Sequence, residues 1–408
     1  MALFVTDGEE RATLAVVRAL GRVGVPVTVG ASGKISLAGT SRYCTRNVCC
    51  PCPEKEPERF QAFLSRHVRE TRYRLLLPVT DVTTQLVSGV RAALAPYVGL
   101  PLPDDASIHR VQDKRFVLSK AQELGIACPQ TFMVEGQEAL EGVSRRIAYP
   151  AVIKPRFSRY FCDGHWRSGT VQYALHAADL IAKYQEAHQE IPNPLIQERI
   201  RGEGRGVFVL MWGGELKAAF CHRRLREKPP WGGVSVYSKS VPLDQTLVQQ
   251  SVALLNACGW QGVAMVEFKV DPRDGCAKLM EVNGRFWGSL QLAIDAGVNF
   301  PWLLYRLATG EDVAPQFDYT VGVRSRWLLG DLDHLWIRLA HSSAVNDLPD
   351  HARSKLRACL DFIKLYEPGL HYDVQRFDDP GPGWYECKSY VRNVLRRLGG
   401  RRERISAT

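Results

Sequence analysis

The sequence predicts a fold of mixed α/β and α+β class, and two patterns in the chain point to it. In the first hundred residues, short β-rich runs such as LFVTD and VPVTVGA alternate with helical segments such as ATLAVVRALGRVG. That alternation is typical of a parallel sheet. After a proline-rich break, strands and helices follow in a less regular order that includes hairpin-like strand pairs, as in α+β folds.

We divide the chain at the break GLPLPDDAS and at the start of a helix-rich C-terminal segment. Residues 1–104 are expected to form a Rossmann-like domain. After its first strand the sequence reads TDGEERAT and not G-x-G-x-x-G, so we place no dinucleotide there. Residues 105–312 form the second unit, with a smaller lobe at about 125–196, and residues 313–408 form a mainly helical region that ends in a basic tail.

Composition and hydropathy predict a cytoplasmic protein. The chain has 408 residues, of which 45% are hydrophobic and 24% are charged, as in ordinary globular proteins. No apolar run approaches the roughly 18–20 residues that cross a bilayer, and the first residues are acidic where a signal peptide would be basic. The eleven cysteines are mostly scattered, which argues against a disulfide framework.

The net charge of +10 is partly concentrated in the final segment KSYVRNVLRRLGGRRERIS. A basic terminal helix can contact RNA or an anionic membrane surface, but such runs are more often solvated faces, which is the interpretation we favour here. We expect no specific nucleic acid partner. Peripheral membrane contact by the tail and the oligomeric state stay open.

The most informative stretch is a pair of neighbouring strands, one with Glu267 in MVEF and the other with Glu281 and Asn283 in MEVN. Side chains alternate along a strand, so Glu281 and Asn283 point to the same face. If Glu267 lies on that face too, two carboxylates and an amide oxygen form a site suited to Mg²⁺, or Mn²⁺. A sheet edge with solvated acids is the alternative, and the flanking Val, Met and Phe residues make it the weaker one.

Two lysines precede these strands. Lys154 ends the apolar run AVIK, and Lys114 follows Asp113 at the start of a predicted helix. An ammonium group in such a place can contact phosphate oxygens, although a single lysine is usually a surface residue. The hypothesis therefore rests on the order of the parts: two lysines, the connector IQERI, and then the acidic strands.

Together these segments resemble the ATP-grasp superfamily, specifically the short carbamoyl-phosphate-synthase-like branch of carboxylate-amine ligases, over roughly residues 105–312. The segments that carry the resemblance are DKRF, VIKP, IQERIRGEG, HRRL, GGVSV, GVAMVEFKVD and LMEVNGRFWGSLQLAIDAGVNFP. The resemblance implies an N-terminal domain before a two-lobed ATP-grasp fold, with ATP bound between the lobes.

The resemblance also implies roles for individual residues. Lys114 and Lys154 would contact the phosphates, and Arg285 would stabilise charge on the transferring phosphoryl group. The remaining assignments are Gln197, Glu198 and Ile200 for adenine, Glu203 for the ribose hydroxyls, and Glu267, Glu281 and Asn283 for magnesium.

Two arginine-rich stretches add candidates. Arg223 and Arg224 in HRRL suit a substrate carboxylate or the γ-phosphate, although a surface hairpin explains them equally well, and we select Arg223 as a catalytic residue. Where many family members have a glycine-rich phosphate flap, this chain has RFSRYFCDGHWRSG. Whether this segment, residues 155–170, acts as the flap stays open, with Arg156, Arg159 and Arg167 as possible sources of charge.

The predicted function is an ATP- and Mg²⁺-dependent ligase. It would activate a small-molecule carboxylate as an acyl phosphate and couple it to an amine, releasing ADP and phosphate. The alternatives are a nucleotide-binding protein of the same fold that has lost turnover and a carbamoyl-phosphate-synthase-like activity. The sequence does not identify the carboxylate or the amine.

Overall fold

The structure is a computed structural model that describes residues 2–341 and 354–405, with side chains as far as residue 396. The helices are α1 Arg11–Arg22, α2 Pro57–Thr71, α3 Asp81–Gly89, α4 Arg91–Leu94, α5 Asp105–Gln112, α6 Lys114–Glu123, α7 Gln137–Arg146, α8 Ala177–Glu190, α9 Gln245–Ala257, α10 Leu290–Ala296, α11 Phe300–Ala308, α12 Leu328–Ala340, α13 Lys355–Ile363 and α14 Gly381–Ile405.

The strands form three sheets and a separate hairpin. They are β1 Leu3–Val5, β2 Val27–Ala31, β3 Arg46–Cys49, β4 Leu75–Leu77, β5 Thr131–Met133, β6 Ala151–Lys154, β7 Arg159–Cys162, β8 His165–Ser168, β9 Gln172–Ala174, β10 Leu195–Glu198, β11 Glu203–Trp212, β12 Glu215–Lys228, β13 Val234–Val241, β14 Gly262–Val270, β15 Ala277–Asn283, β16 Arg324–Arg326 and β17 Leu370–Tyr372.

The N-terminal sheet is parallel and has the strand order β3-β2-β1-β4. Strands β1, β2 and β4 are buried along their whole length, because helices and the rest of the protein cover both faces. The chain reverses its direction of strand addition between β1 and β4, and in open parallel sheets such a point opens a crevice at the carboxyl ends of the strands. Asp7 and Asp81 follow those two strands there.

The small-lobe sheet is antiparallel and has the order β5-β10-β6-β9. Its core contains apolar residues of β6 and β10 packed on α7 and α8. Strand β6 ends at Lys154, opposite Leu195 at the start of β10. The sheet therefore presents Lys154 at the end of the interior strand β6 and, at the end of β10, Gln197 and Glu198.

The large sheet has seven strands in the order β15-β14-β11-β12-β13-β16-β17. Helices α5, α6 and α9 pack on one face, while α10 and α11 pack on the other and share a core with α1 of the N-terminal domain. The mixed α/β and α+β class is thus confirmed. The C-terminal region is mainly helical in its described part, yet its strands β16 and β17 extend the large sheet.

A buried ion pair joins the N-terminal domain to the segment that precedes the last helix. Arg18 of α1 donates from Nε to Asp379 Oδ2 at 2.8 Å, and its other nitrogens donate to the carbonyl oxygens of Asp373 and Val374, each at 2.8 Å. Both charged side chains of the pair are about 1% exposed. The segment that precedes α14 is therefore fixed to the N-terminal domain. No helix among the described residues has the length and apolar character needed to cross a membrane.

We predict that Asp379→Asn lowers the free energy of unfolding by about 3–5 kcal/mol, because Arg18 would keep a buried charge without its counter-ion. Its neighbour Asp378 is the matched control, since it pairs with Arg22 at 2.5 Å while 47% of its side chain is exposed. Asp378→Asn should cost less than about 1 kcal/mol. Urea denaturation of both variants checks this, and equal losses would contradict the assignment.

Candidate active site

A cleft of about 350 Å³ lies between the small-lobe sheet and the large sheet. This volume is in the range of small-molecule binding sites. One end is mostly apolar and the other is crowded with charges. The lining residues include Val152, Lys154, Tyr173, Gln197, Glu198, Arg199, Ile200, Arg224, Glu227, Trp231, Met265, Glu267, Lys269, Met280, Glu281, Asn283 and Arg285.

Two carboxylates meet at the charged end. The antiparallel register of β14 and β15 places Glu267 directly opposite Glu281, and Asn283 lies two residues further along the same face. Asn283 Nδ2 donates to Glu281 Oε1 at 3.1 Å. The structure thus brings together the three residues that we assigned to magnesium.

Arg224 neutralises Glu267 with a two-pronged contact. Its Nη1 donates to Glu267 Oε1 at 2.8 Å, and its Nη2 donates to Oε2. Glycine at 204 leaves room for this side chain, because a Cβ there would lie 3.0 Å from Arg224 Cδ. Burial still raises the pKa of Glu267, with Arg224 opposing the rise and Glu281 adding to it. The pair of carboxylates thus needs more positive charge than Arg224 supplies.

Lys154 and Lys114 supply that charge. Lys114 Nζ lies 4.0 Å from Glu281 Oε2 and donates to Ser158 Oγ at 2.6 Å. Burial would raise the pKa of Glu281, but Lys114 and Lys154 together bring it below its ordinary value. Burial lowers the pKa of Lys154 to about 8, and the charge of Lys114 acts in the same direction.

Arg285 connects this cluster to the N-terminal domain. Its Nη2 donates to Asn283 Oδ1 at 3.0 Å, and its Nε donates to Asp81 Oδ2 at 2.9 Å. Asp81 begins α3 at the crevice of the parallel sheet, and it was not among the residues predicted from the sequence. Its position directly after the β-rich run YRLLLPVT was the available signal, since ligands bind at the carboxyl ends of parallel strands.

The structure does not bring Arg223 and Glu203 into the cleft. Arg223 Nη1 donates to Glu203 Oε2 at 3.1 Å, on the face of the sheet opposite to Glu267 and Arg224. Neighbouring residues in a strand point to opposite faces, so only one arginine of the pair can face the carboxylates. That residue is Arg224. This geometry does not fit the selection of Arg223 as a catalytic residue. It does not fit the assignment of Glu203 to the ribose hydroxyls of a nucleotide in the same cleft either.

At the other end, the residues assigned to adenine line the cleft beside apolar side chains. Ile200, Val152 and Met280 are among the apolar residues that line the cleft. Gln197 Nε2 donates to Thr131 Oγ1 at 2.9 Å, whereas its Oε1 is buried without a hydrogen-bond partner. The Glu198 carboxylate is bound by Arg273 at 2.8 Å and by Lys278 at 3.3 Å. Both carboxylate oxygens of Glu198 are therefore already paired with cationic side chains of the protein.

The arginine-rich segment forms the hairpin β7–β8, which reaches the N-terminal domain. Trp166 N donates to the carbonyl oxygen of Glu54 at 2.8 Å, and Arg159 Nη1 lies 3.0 Å from Glu54 Oε1. Arg156 is paired with Asp113, and Arg167 with Asp163. Among these three arginines, only Arg159 borders the small cavity that Lys114 and Asn283 also line.

Comparison with known proteins identifies the fold. A biotin carboxylase domain of 2-oxoglutarate carboxylase from Hydrogenobacter thermophilus superposes with a TM-score of 0.63 at 13% identity, over 79% of this chain and 73% of that one. Residues 190–329 match a family model described as ATP-grasp in the biosynthetic pathway with Ter operon. The chain has the ATP-grasp fold.

Two ligases are similar to this chain. The L-amino acid ligase of Bacillus licheniformis superposes with a TM-score of 0.59 at 17% identity, over 77% of this chain and 75% of that one. The D-aspartate ligase of Enterococcus faecium is 21% identical over 248 residues, which are 57% of this chain and 59% of that protein. The chain thus spans somewhat more than half the length of this curated relative.

We predict that Arg224→Gln destabilises the protein by about 3–5 kcal/mol, because it leaves Glu267 buried without a counter-ion. Arg223→Gln is the control, since its pair with Glu203 is more than one-third exposed and should contribute less than about 1 kcal/mol. Adding Glu267→Gln to Arg224→Gln should restore part of the stability. Urea denaturation of the unaltered protein, the two single arginine variants and the double variant tests this. Equal destabilisation by the two arginine variants would contradict the placement of Arg223 and Arg224 on opposite faces of the sheet.

Proposed function

We propose that this protein is an ATP-dependent ligase that activates a carboxylate as an acyl phosphate and joins it to an amine, releasing ADP and phosphate. The observation that carries the proposal is the charged end of the cleft. There, Lys114, Lys154 and Arg285 lie beside the facing carboxylates Glu267 and Glu281. Phosphoryl transfer depends mainly on positioning and charge neutralisation, which these groups provide.

The similar proteins support this reaction type. Two of them are named as ligases of amino acids, and the biotin carboxylase domain was crystallised in complex with MgADP and bicarbonate. A carboxylate or carboxylate-like acid and a nucleotide are therefore the substrates that the comparison favours. We extend this to an amino acid or a related small acid for the present chain.

The nucleotide would lie with its base at the apolar end, between Val152, Ile200 and Met280. The unpartnered Gln197 Oε1 offers an acceptor for an exocyclic amino group. The phosphates would then point to Lys154 and Lys114. In this arrangement the base would occupy the apolar end of the cleft and the phosphates the charged end. The terminal phosphate would then lie near Arg285.

The donor set fits magnesium. Two carboxylates in register repel one another in a partly buried cleft, and burial already raises the pKa of Glu267, so a divalent cation would relieve this repulsion. Glu267, Glu281 and Asn283 would hold the ion, and a carboxylate can accept from Arg224 and still offer lone pairs. When bound, magnesium neutralises charge on the phosphate oxygens.

The cationic residues of the cleft have separate roles in phosphoryl transfer. Lys114 and Lys154 bind phosphate oxygens, and Arg285, held by Asp81 and Asn283, stays oriented toward the γ-phosphoryl group. A carboxylate oxygen of the substrate attacks the γ-phosphorus, and the bond to the ADP oxygen breaks. The amine then attacks the acyl carbon, phosphate leaves, and the amine loses a proton.

The alternatives fit the cleft less well. A protein that had lost turnover would have no need of the full cluster of Lys154, Glu267, Glu281, Asn283 and Arg285. A carbamoyl-phosphate-synthase-like reaction needs two phosphorylation steps in duplicated units, and the described residues form one such cleft.

A screen of amino acids and small acids should identify substrates that stimulate nucleotide breakdown. We expect ADP and phosphate in equal amounts, and a hydroxamate when hydroxylamine replaces the amine. Glu281→Gln should lower turnover by about 10²-fold or more. AMP and pyrophosphate as products would contradict acyl-phosphate chemistry, and near-normal turnover of Glu281→Gln would contradict the role of that carboxylate.

Nucleotide affinity should fall as pH rises through about 8, because Lys154 then loses the proton that gives it its charge. Lys154→Arg should remove most of this fall, since arginine stays charged. Calorimetric titration with ADP and magnesium at pH values on both sides of 8 measures the effect. An identical decline in both proteins would show that another group is responsible.

A further inference from the structure

The last described helix presents large apolar side chains to solvent. Trp384, Val391 and Leu395 of α14 are 69%, 56% and 62% exposed. Helical geometry of about 100° per residue places these three within about 40° of one another, so they form a single stripe. Isolated exposed apolar residues are normal, but a continuous stripe on a helix indicates a surface that another structure covers.

As far as Tyr390, the opposite side of α14 faces the protein, and all residues from Val391 to Arg396 are exposed. Trp327 Nε1 donates to Glu386 Oε1 at 2.6 Å, and Tyr390 OH donates to Asp333 Oδ1 at 2.6 Å. Positions 386 and 390 lie about 120–160° from the centre of the stripe around the helix axis. The body of the protein therefore does not cover the stripe.

Positive charge flanks the stripe on one side. Lys388, Arg392 and Arg396 are exposed and follow one another along the helix at intervals of four residues. Glu386, the sole acidic residue between 381 and 396, is turned inward and bound by Trp327 and Gln375. The outward surface of α14 is thus both apolar and cationic.

A second stripe of the same kind lies on α13. Leu356, Leu360 and Ile363 are 72%, 55% and 68% exposed, at helical spacing. Lys355, Arg357 and Lys364 border it, and the one acidic residue of α13, Asp361, pairs with Lys364 at 3.1 Å. Two helices of the C-terminal region therefore share the same combination of exposed aliphatic side chains and lysines or arginines.

We propose that this C-terminal region docks the protein on an anionic lipid surface. Apolar side chains enter the headgroup boundary while neighbouring Lys and Arg attract acidic headgroups, and each part strengthens the other. A second copy of the chain is disfavoured because the rows of like charge would approach one another. RNA is disfavoured because Val391, Leu395 and the aliphatic stripe of α13 offer nothing to bases or phosphates. This inference does not depend on the proposed ligase activity.

Co-sedimentation of the full chain with vesicles tests the proposal. We expect binding to phosphatidylcholine vesicles that contain phosphatidylglycerol, little binding to phosphatidylcholine alone, and weaker binding at high salt. Each removed charge should weaken binding about fivefold, so Lys388→Gln with Arg392→Gln should weaken it about 25-fold. Val391→Ser with Leu395→Ser should weaken it at least about tenfold.

Matched controls come from exposed residues elsewhere. Leu175→Ser removes a leucine that is 68% exposed near α8, and Arg66→Gln with Arg69→Gln removes two exposed charges of α2. These variants should bind vesicles like the unaltered protein. The proposal is overturned by equal binding to neutral vesicles, by unchanged binding of the α14 variants, or by absence of vesicle binding. A dimer or an RNA complex that the α14 variants abolish, without vesicle binding, would assign the stripe to that partner instead.

Discussion

The mutual repulsion of Glu267 and Glu281 is the constraint around which the cleft is built. The register of β14 and β15 places these carboxylates opposite one another in a partly buried cleft. Such an arrangement is stable only if cations surround it. Arg224 contacts one carboxylate, and Lys114 and Lys154 act on the other. The same cations are those that a polyphosphate requires, so the stability of the site and the nucleotide binding that we propose for it have one origin.

The positions of these cations depend on the rest of the fold. Lys154 comes from the small lobe, Arg224 from the large sheet, and Arg285 is oriented by Asp81 of the N-terminal domain. The hairpin β7–β8 adds a further link, because Trp166 and Arg159 contact Glu54. The pair of Arg18 and Asp379 joins the C-terminal segment to the N-terminal domain. The N-terminal domain, the small lobe and the large sheet thus all contribute to one charged cluster, and the C-terminal segment is joined to the first of them.

Local sequence patterns predicted some features of the site, but they could not predict contacts between segments that are far apart in the sequence. Strand alternation predicted that Glu281 and Asn283 share a face, and apolar neighbours argued against a solvated sheet edge. It could not decide between Arg223 and Arg224, because that choice depends on the register of β12 against β11, which is set by distant residues. Asp81 and Glu54 were missed for the same reason: their contacts join segments far apart in sequence. The tail was interpreted as a solvated face, since exposure of Trp384 and Leu395 follows from packing and not from spacing.

The central claim is that a substrate carboxylate attacks the γ-phosphorus of ATP in this cleft. The most direct test is oxygen transfer. A substrate found by the screen would be labelled with ¹⁸O in its carboxylate, and the phosphate released would be analysed by ³¹P NMR or mass spectrometry. We predict that one ¹⁸O atom from the carboxylate appears in inorganic phosphate for each product formed. Its appearance in AMP, or phosphate that carries no label while product forms, would contradict the account.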